Sequence, residues 1–85
     1  MRYVYVLKSN KDGKLYYGHT ENMDERLREH NRGEVRSTKS RIPFVLIYFE
    51  SVNTIEEARK REKYFKSGFG RKYVKNKISA SSSNG

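Results

Sequence analysis

The chain has no cysteine in its 85 residues, so neither disulfides nor thiolate metal sites can staple it. That fits a reducing compartment. Long apolar runs are missing too. The longest, Phe44 to Phe49, has six residues. A membrane span needs about 20 apolar residues and a signal-peptide core about 7–15. A soluble, cytoplasmic protein that makes no membrane contact is therefore expected. The sequence has no internal repeat, and its length allows one domain at most. A domain this small buries only roughly 60–65% of its unfolded surface, so the core is thin.

Acidic residues are scarce where they would matter most. The net charge is +9. Residues 1–58 nearly balance, whereas residues 59–77 hold nine Lys and Arg and a single acid, Glu62. Two readings of that stretch stand: a solvated face, or a polyanion site whose clustered cations displace counterions from nucleic acid. Gly68 and Gly70 interrupt any long amphipathic helix, which disfavours membrane-surface binding.

What is present has a clear order. Residues 2–8 and 14–19 are rich in aromatic and β-branched types around an Asp12-Gly13 turn, which predicts an antiparallel hairpin. Asn22 can cap a helix, with Glu25 at the reciprocal position. That helix should end near Gly33 as a left-handed cap. Residues 34–42 read as a loop. Pro43 opens a third strand over 44–50, apolar on both faces and so expected to be central. Thr54 and Glu57 start a second helix running to about residue 67, and a short third helix is predicted over 71–78. The fold class is α+β: a small three-stranded antiparallel sheet flanked by helices in the order β-β-α-β-α, with one more short helix. Residues 1–78 form the domain. Residues 79–85 are expected to be a disordered polar tail.

Four features break the local rules. Glu62 lies on the Ala58 and Phe65 face of its helix. It reads either as an ion-pair partner of a core-lining arginine or as a ligand for a divalent cation. Arg26 and His30 are four apart and point the same way. His30 is either a packed core histidine or, beside an arginine fork, a phosphate or proton-transfer group. Tyr3, Tyr5, Tyr16 and Tyr17 crowd the hairpin, either as strand filling or, for Tyr5 and Tyr16, as phenols near a cation. Gly18 inside a strand marks a bulge or a close backbone approach.

Together these positions resemble the GIY-YIG nuclease family, and in particular its small stand-alone bacterial members. The resemblance covers residues 2–78. Tyr3-Val4-Tyr5 stands for the first tripeptide and Tyr16-Tyr17-Gly18 for the second. Gly18-His19-Thr20, Glu25-Arg26-Leu27, Glu29-His30-Asn31, Ser37-Thr38-Lys39 and Lys60-Arg61-Glu62-Lys63 are similar to signatures of the group. Two departures are Tyr3 for the first glycine and Tyr17 for the second isoleucine. Neither removes a chemical group, but Tyr3 crowds a spot where glycine would admit DNA.

The resemblance implies a DNA endonuclease that uses one Mg²⁺ or Mn²⁺. Tyr5 would activate or position water, Tyr16 would orient it, Arg26 would hold the phosphate, and His30 would assist acid–base work. Glu62 would bind the metal. Gly18 and Asn76 would support the site. Lys39, Arg59, Lys63, Lys66, Arg71 and Lys72 would contact the nucleic-acid backbone. Low sequence specificity is expected, with structure-directed DNA repair or processing as the setting. RNA stays open as a substrate, and a protein partner as a source of specificity. The rival reading is a non-catalytic nucleic-acid-binding module.

Overall fold

The computed structural model describes residues 1–82. Strands β1 (Arg2–Ser9) and β2 (Leu15–Thr20) form the hairpin, followed by helix α1 (Met23–Asn31). A 3-10 turn over Lys39–Arg41 leads into strand β3 (Phe44–Val52), then helices α2 (Ile55–Lys66) and α3 (Gly68–Ser82). The three-stranded antiparallel sheet and its element order are those the sequence predicts.

Local chemistry explains the boundaries. Asn22 Oδ1 accepts from the Glu25 backbone N–H at 3.1 Å, and Thr54 Oγ1 from that of Glu57 at 3.1 Å. Each satisfies a donor that a helix start leaves free. Gly13 (φ 72°) turns the hairpin and Gly33 (φ 77°) ends α1, in backbone conformations that side chains disfavour. The loop predicted over residues 34–42 is held inward by buried Thr38 and ends in the short 3-10 turn.

The expected place of the third strand needs correction. The strand order is β2-β1-β3, so β1 is central and β3 is an edge. Helices flank both faces of the sheet, but cover of this edge strand is partial: Phe44 is buried, whereas Val45 (42%) and Phe49 (51%) stay exposed. Val4 and Val6 point to one face, where they pack with Ala58, Phe65 and Val74 from α2 and α3. Tyr5 and Leu7 point to the other, with Phe44 and with Met23 and Leu27 of α1. Complete burial of a side chain such as Phe65 contributes roughly 1.5–3 kcal/mol.

The third helix is longer than predicted. It begins at Gly68 and continues through Ser82, into the stretch read as a tail. Residues 83–85 of that stretch lie outside the described residues. The helix is fastened by Arg61, whose guanidinium sits 4.8–5.1 Å from the ring centres of Tyr64, Phe65 and Tyr73. Arg61 also donates two hydrogen bonds to Glu50, at 2.8 and 3.1 Å. These bonds hold the Glu50 carboxyl below its usual pKa. The core-lining ion pair considered for Glu62 in the sequence thus belongs to Glu50.

Candidate functional site

Tyr5 projects from the central strand toward α1 and is buried. Its hydroxyl lies 3.1 Å from Nε2 of His30 and accepts from Nε of Arg26 at 3.4 Å. The four-residue spacing on α1 brings Arg26 and His30 to the same phenol. On the far side of the imidazole, Nδ1 lies 2.7 Å from Oγ1 of Thr38. Thr38 in turn donates to the Val35 carbonyl at 3.4 Å.

These contacts are compatible with one continuous direction. With its proton on the Val35 carbonyl, Thr38 offers a lone pair to Nδ1–H. Nε2 is then unprotonated and accepts from the Tyr5 hydroxyl, whose oxygen accepts from Arg26. The assigned chain runs from Arg26 through Tyr5 and His30 to Thr38, each group donating to the next.

Titration follows from the same packing. Burial pulls the His30 pKa down to about 4, and the Arg26 charge adds to the effect while Glu29 opposes it. The imidazole is therefore neutral at pH 7. An unfolded histidine titrates near 6.5, so between these values the unfolded chain binds the extra proton. The resulting stability is full above pH ~6.5 and is lost as pH falls toward 4. Denaturant melts at pH 7.5 and 4.5 should show a loss of a few kcal/mol at most. His30→Gln should flatten that part of the profile.

For Tyr5, burial pushes the phenol pKa up. The Arg26 hydrogen bond and charge pull it down, and the charges of Tyr16 and Glu62 push it up.

Tyr16 completes the cluster, its ring centre 5.0 Å from that of His30 and 6.4 Å from that of Tyr5. The contact with Tyr5 is diagonal. Across the hairpin Tyr16 faces Leu7, and Tyr5 faces Gly18. This explains the glycine. A Cβ on Gly18 would fall 2.5 Å from the Tyr5 hydroxyl oxygen, so any side chain there displaces the phenol. Gly18 is thus a close approach. The sheet's register shift lies between Val6 and Leu7, against β3. Gly18→Ala should move Tyr5 away from Arg26 and His30. If the cluster acts in cleavage, turnover should drop roughly tenfold or more while the fold is kept. Circular dichroism and a cleavage assay would check both.

Arg26 is held by Glu29 at 2.9 Å as well as by Tyr5. Its Nη2 has no protein partner among the described residues, and its side chain is one-third exposed. It lines a cavity of about 440 Å³ with Arg2, Asn22, Glu25 and Glu29.

Glu62 sits on α2, a helix that packs against both strands of the hairpin. It is half-buried and bonded to Lys66 at 3.0 Å, one turn along the helix. Its charge is felt at Tyr5. No group of three or more His, Cys, Asp or Glu that could hold a metal exists among the described residues. Glu62 therefore fits only a cation that keeps most of its water and shares phosphate oxygens, as Mg²⁺ does.

The remaining expected residues lie further out. Lys39, Arg59, Lys63, Lys66, Arg71, Lys72 and Asn76 are all exposed. Lys39 stands beside buried Thr38 at the 3-10 turn, and the others lie along α2 and α3. Thr38 and Glu29, which orient His30 and Arg26, were given no role of their own in the sequence, although both lie in tripeptides similar to family signatures. Glu29 was findable from its three-residue spacing to Arg26. Thr38 lies in a polar loop with no periodicity to point it inward.

The family model described as the GIY-YIG catalytic domain matches residues 1–77. A UPF0213 protein of Clostridium perfringens is 45% identical over 78% of this chain and 71% of its own length. Another, of Staphylococcus saprophyticus, is 39% identical over 86% of this chain and 89% of its own. The solution structure of a UPF0213 protein from Bacillus halodurans superimposes with a TM-score of 0.54 at 31% identity, covering 89% of this chain and 84% of that one. Among the described residues no helix is long and apolar enough to cross a membrane. The chain belongs to the GIY-YIG catalytic domain family, a domain that implies a nuclease-type function.

Proposed function

We propose that the protein is a divalent-metal-dependent endonuclease that hydrolyses DNA phosphodiester bonds with little intrinsic sequence preference. The observation that carries this reading is the chain of hydrogen bonds from Arg26 through Tyr5 to His30. It places an unpaired guanidinium donor beside a phenol whose proton has somewhere to go.

The Nη2 end of Arg26 binds a non-bridging phosphate oxygen and stabilises the charge that gathers there. Tyr5 Oη takes a proton from the attacking water as its own proton passes to Nε2 of His30. Bound phosphate offsets the Arg26 charge, which removes one cause of the low His30 pKa and makes the imidazole a better acceptor. Thr38 keeps the imidazole in the accepting tautomer, and Tyr16 limits its rotation. Glu62 would hold Mg²⁺ or Mn²⁺, which would supply neutralisation of phosphate charge and of charge on the leaving 3′-oxygen. The Glu62–Lys66 pair would open to allow this. The exposed cations of α2, with Lys72 of α3, supply affinity without reading bases.

Purified protein incubated with duplex, branched and single-stranded DNA in Mg²⁺ or Mn²⁺ tests the reading. Products should carry 5′-phosphate and 3′-hydroxyl ends. Intact substrate in every case would refute it.

A further inference from the structure

The hairpin and α3 enclose a second surface, on the opposite face of the sheet from Tyr5. Two cavities of about 410 and 400 Å³ share Gly13, Leu15 and Lys75, so they form one trough. Its cations are Lys8 and Lys14 from the hairpin and Arg71 and Lys75 from α3. None of the four has a carboxylate partner among the described residues, whereas Arg2, Arg26, Arg28, Arg32, Arg41 and Arg61 all do. No acid lines the trough. The floor is apolar and aromatic: Leu15, Ile47 and half-buried Tyr17, all packed on the Val4 and Val6 core.

Unpaired cations around an apolar, aromatic floor do not suit every polyanion. A duplex presents phosphates and sugars to a surface and keeps its bases stacked inside. A single strand offers phosphates to the rim and base faces to the floor. The cavity beside Arg26 is different: Glu21, Glu25 and Glu29 share its walls, which suits one phosphate on Arg26 rather than a run of them. β2 is a sheet edge, with Tyr16 turned to the Tyr5 cluster and Tyr17 to the trough. A strand passing around that edge would reach both faces.

We infer that the trough between the hairpin tip and α3 binds a single strand of nucleic acid, with phosphates on Lys14, Arg71 and Lys75 and a base on Tyr17. The inference rests on the nucleic-acid substrate proposed above, but not on cutting. Fluorescence anisotropy with a labelled single-stranded oligonucleotide and a blunt duplex, in EDTA and across a salt titration, tests it.

The doubly substituted Lys14→Glu, Lys75→Glu protein changes two exposed, unpaired side chains and should keep its circular dichroism spectrum. It should bind the single strand about tenfold or more weakly, with a salt slope shallower by about 0.7 for each phosphate no longer neutralised. Its duplex affinity should fall much less. Tyr17→Leu keeps the apolar floor and should weaken single-strand binding about fivefold or more. Unchanged single-strand binding in both proteins would overturn the trough alone. An equal loss for duplex would overturn its assignment to single strands. A wild-type protein that binds neither at low salt would overturn the trough and the nucleic-acid reading together.

Discussion

Glu62→Gln should abolish cleavage, by on the order of 10³-fold or more, while DNA binding survives. The substitution keeps the shape of the side chain and removes the charge that would hold the cation. Folding should be preserved, because Glu62 gives up only a partly exposed ion pair with Lys66, and such one-turn pairs contribute about 0.3–0.5 kcal/mol. Affinity should stay near that of the wild type or rise, since one negative charge leaves a cationic surface. Single-turnover cleavage and anisotropy on the same preparation separate the two effects. A Glu62→Gln protein that cuts at the wild-type rate would show that the lone acid of residues 59–77 is not the metal ligand.

The second large effect belongs to the Tyr5 hydroxyl. Tyr5→Phe keeps the ring and deletes the atom that joins Arg26 to His30. Turnover should fall about 10²–10⁴-fold, the range for loss of a positioned proton-transfer group. KM should move little, because Nη2 of Arg26 still faces the phosphate. Stability should drop by about 1–2 kcal/mol as buried Nε2 is left without its partner. The split distinguishes chemistry from folding: a merely structural Tyr5 would lower the melting temperature and leave turnover per folded molecule unchanged.

How much of this was legible in the chain depends on the range of the interaction. Caps and turns are local, and Asn22, Thr54, Gly13 and Gly33 do what their residue types imply. The pairing of Arg26 with His30 was also legible, because helical spacing puts them together wherever the helix goes. The position of β3 was not. Two apolar faces suggested a central strand, yet Val45 and Phe49 lie exposed on an edge. The role of Gly18 needed the register, since only the pairing of Tyr5 with Gly18 reveals what fills the space of the missing side chain. Thr38 needed the path of a loop, and the Glu50–Arg61 pair needed two elements brought together by the fold. The stretch after residue 78 read as a tail because serine and alanine lack a buried stripe. Its first residues nonetheless extend α3.

The order of the site mirrors this. Residues that carry the chemistry come from motifs that can be read in sequence, while two that orient them, Gly18 and Thr38, depend on register and loop path. Thr38 sets the direction of the hydrogen-bond chain, and Glu29 holds Arg26 from the wall of the same cavity. The trough on the opposite face joins Tyr17 of the second motif to unpaired cations of the hairpin and α3, a juxtaposition that only the fold makes.

The most direct measurement is incubation of supercoiled plasmid with the unmodified protein, with Mg²⁺ or Mn²⁺ and again after chelation. Relaxed circles in the presence of metal and none after chelation are the expected result. Retarded but unbroken plasmid under every metal condition would contradict the account and leave a domain that holds DNA without cutting it.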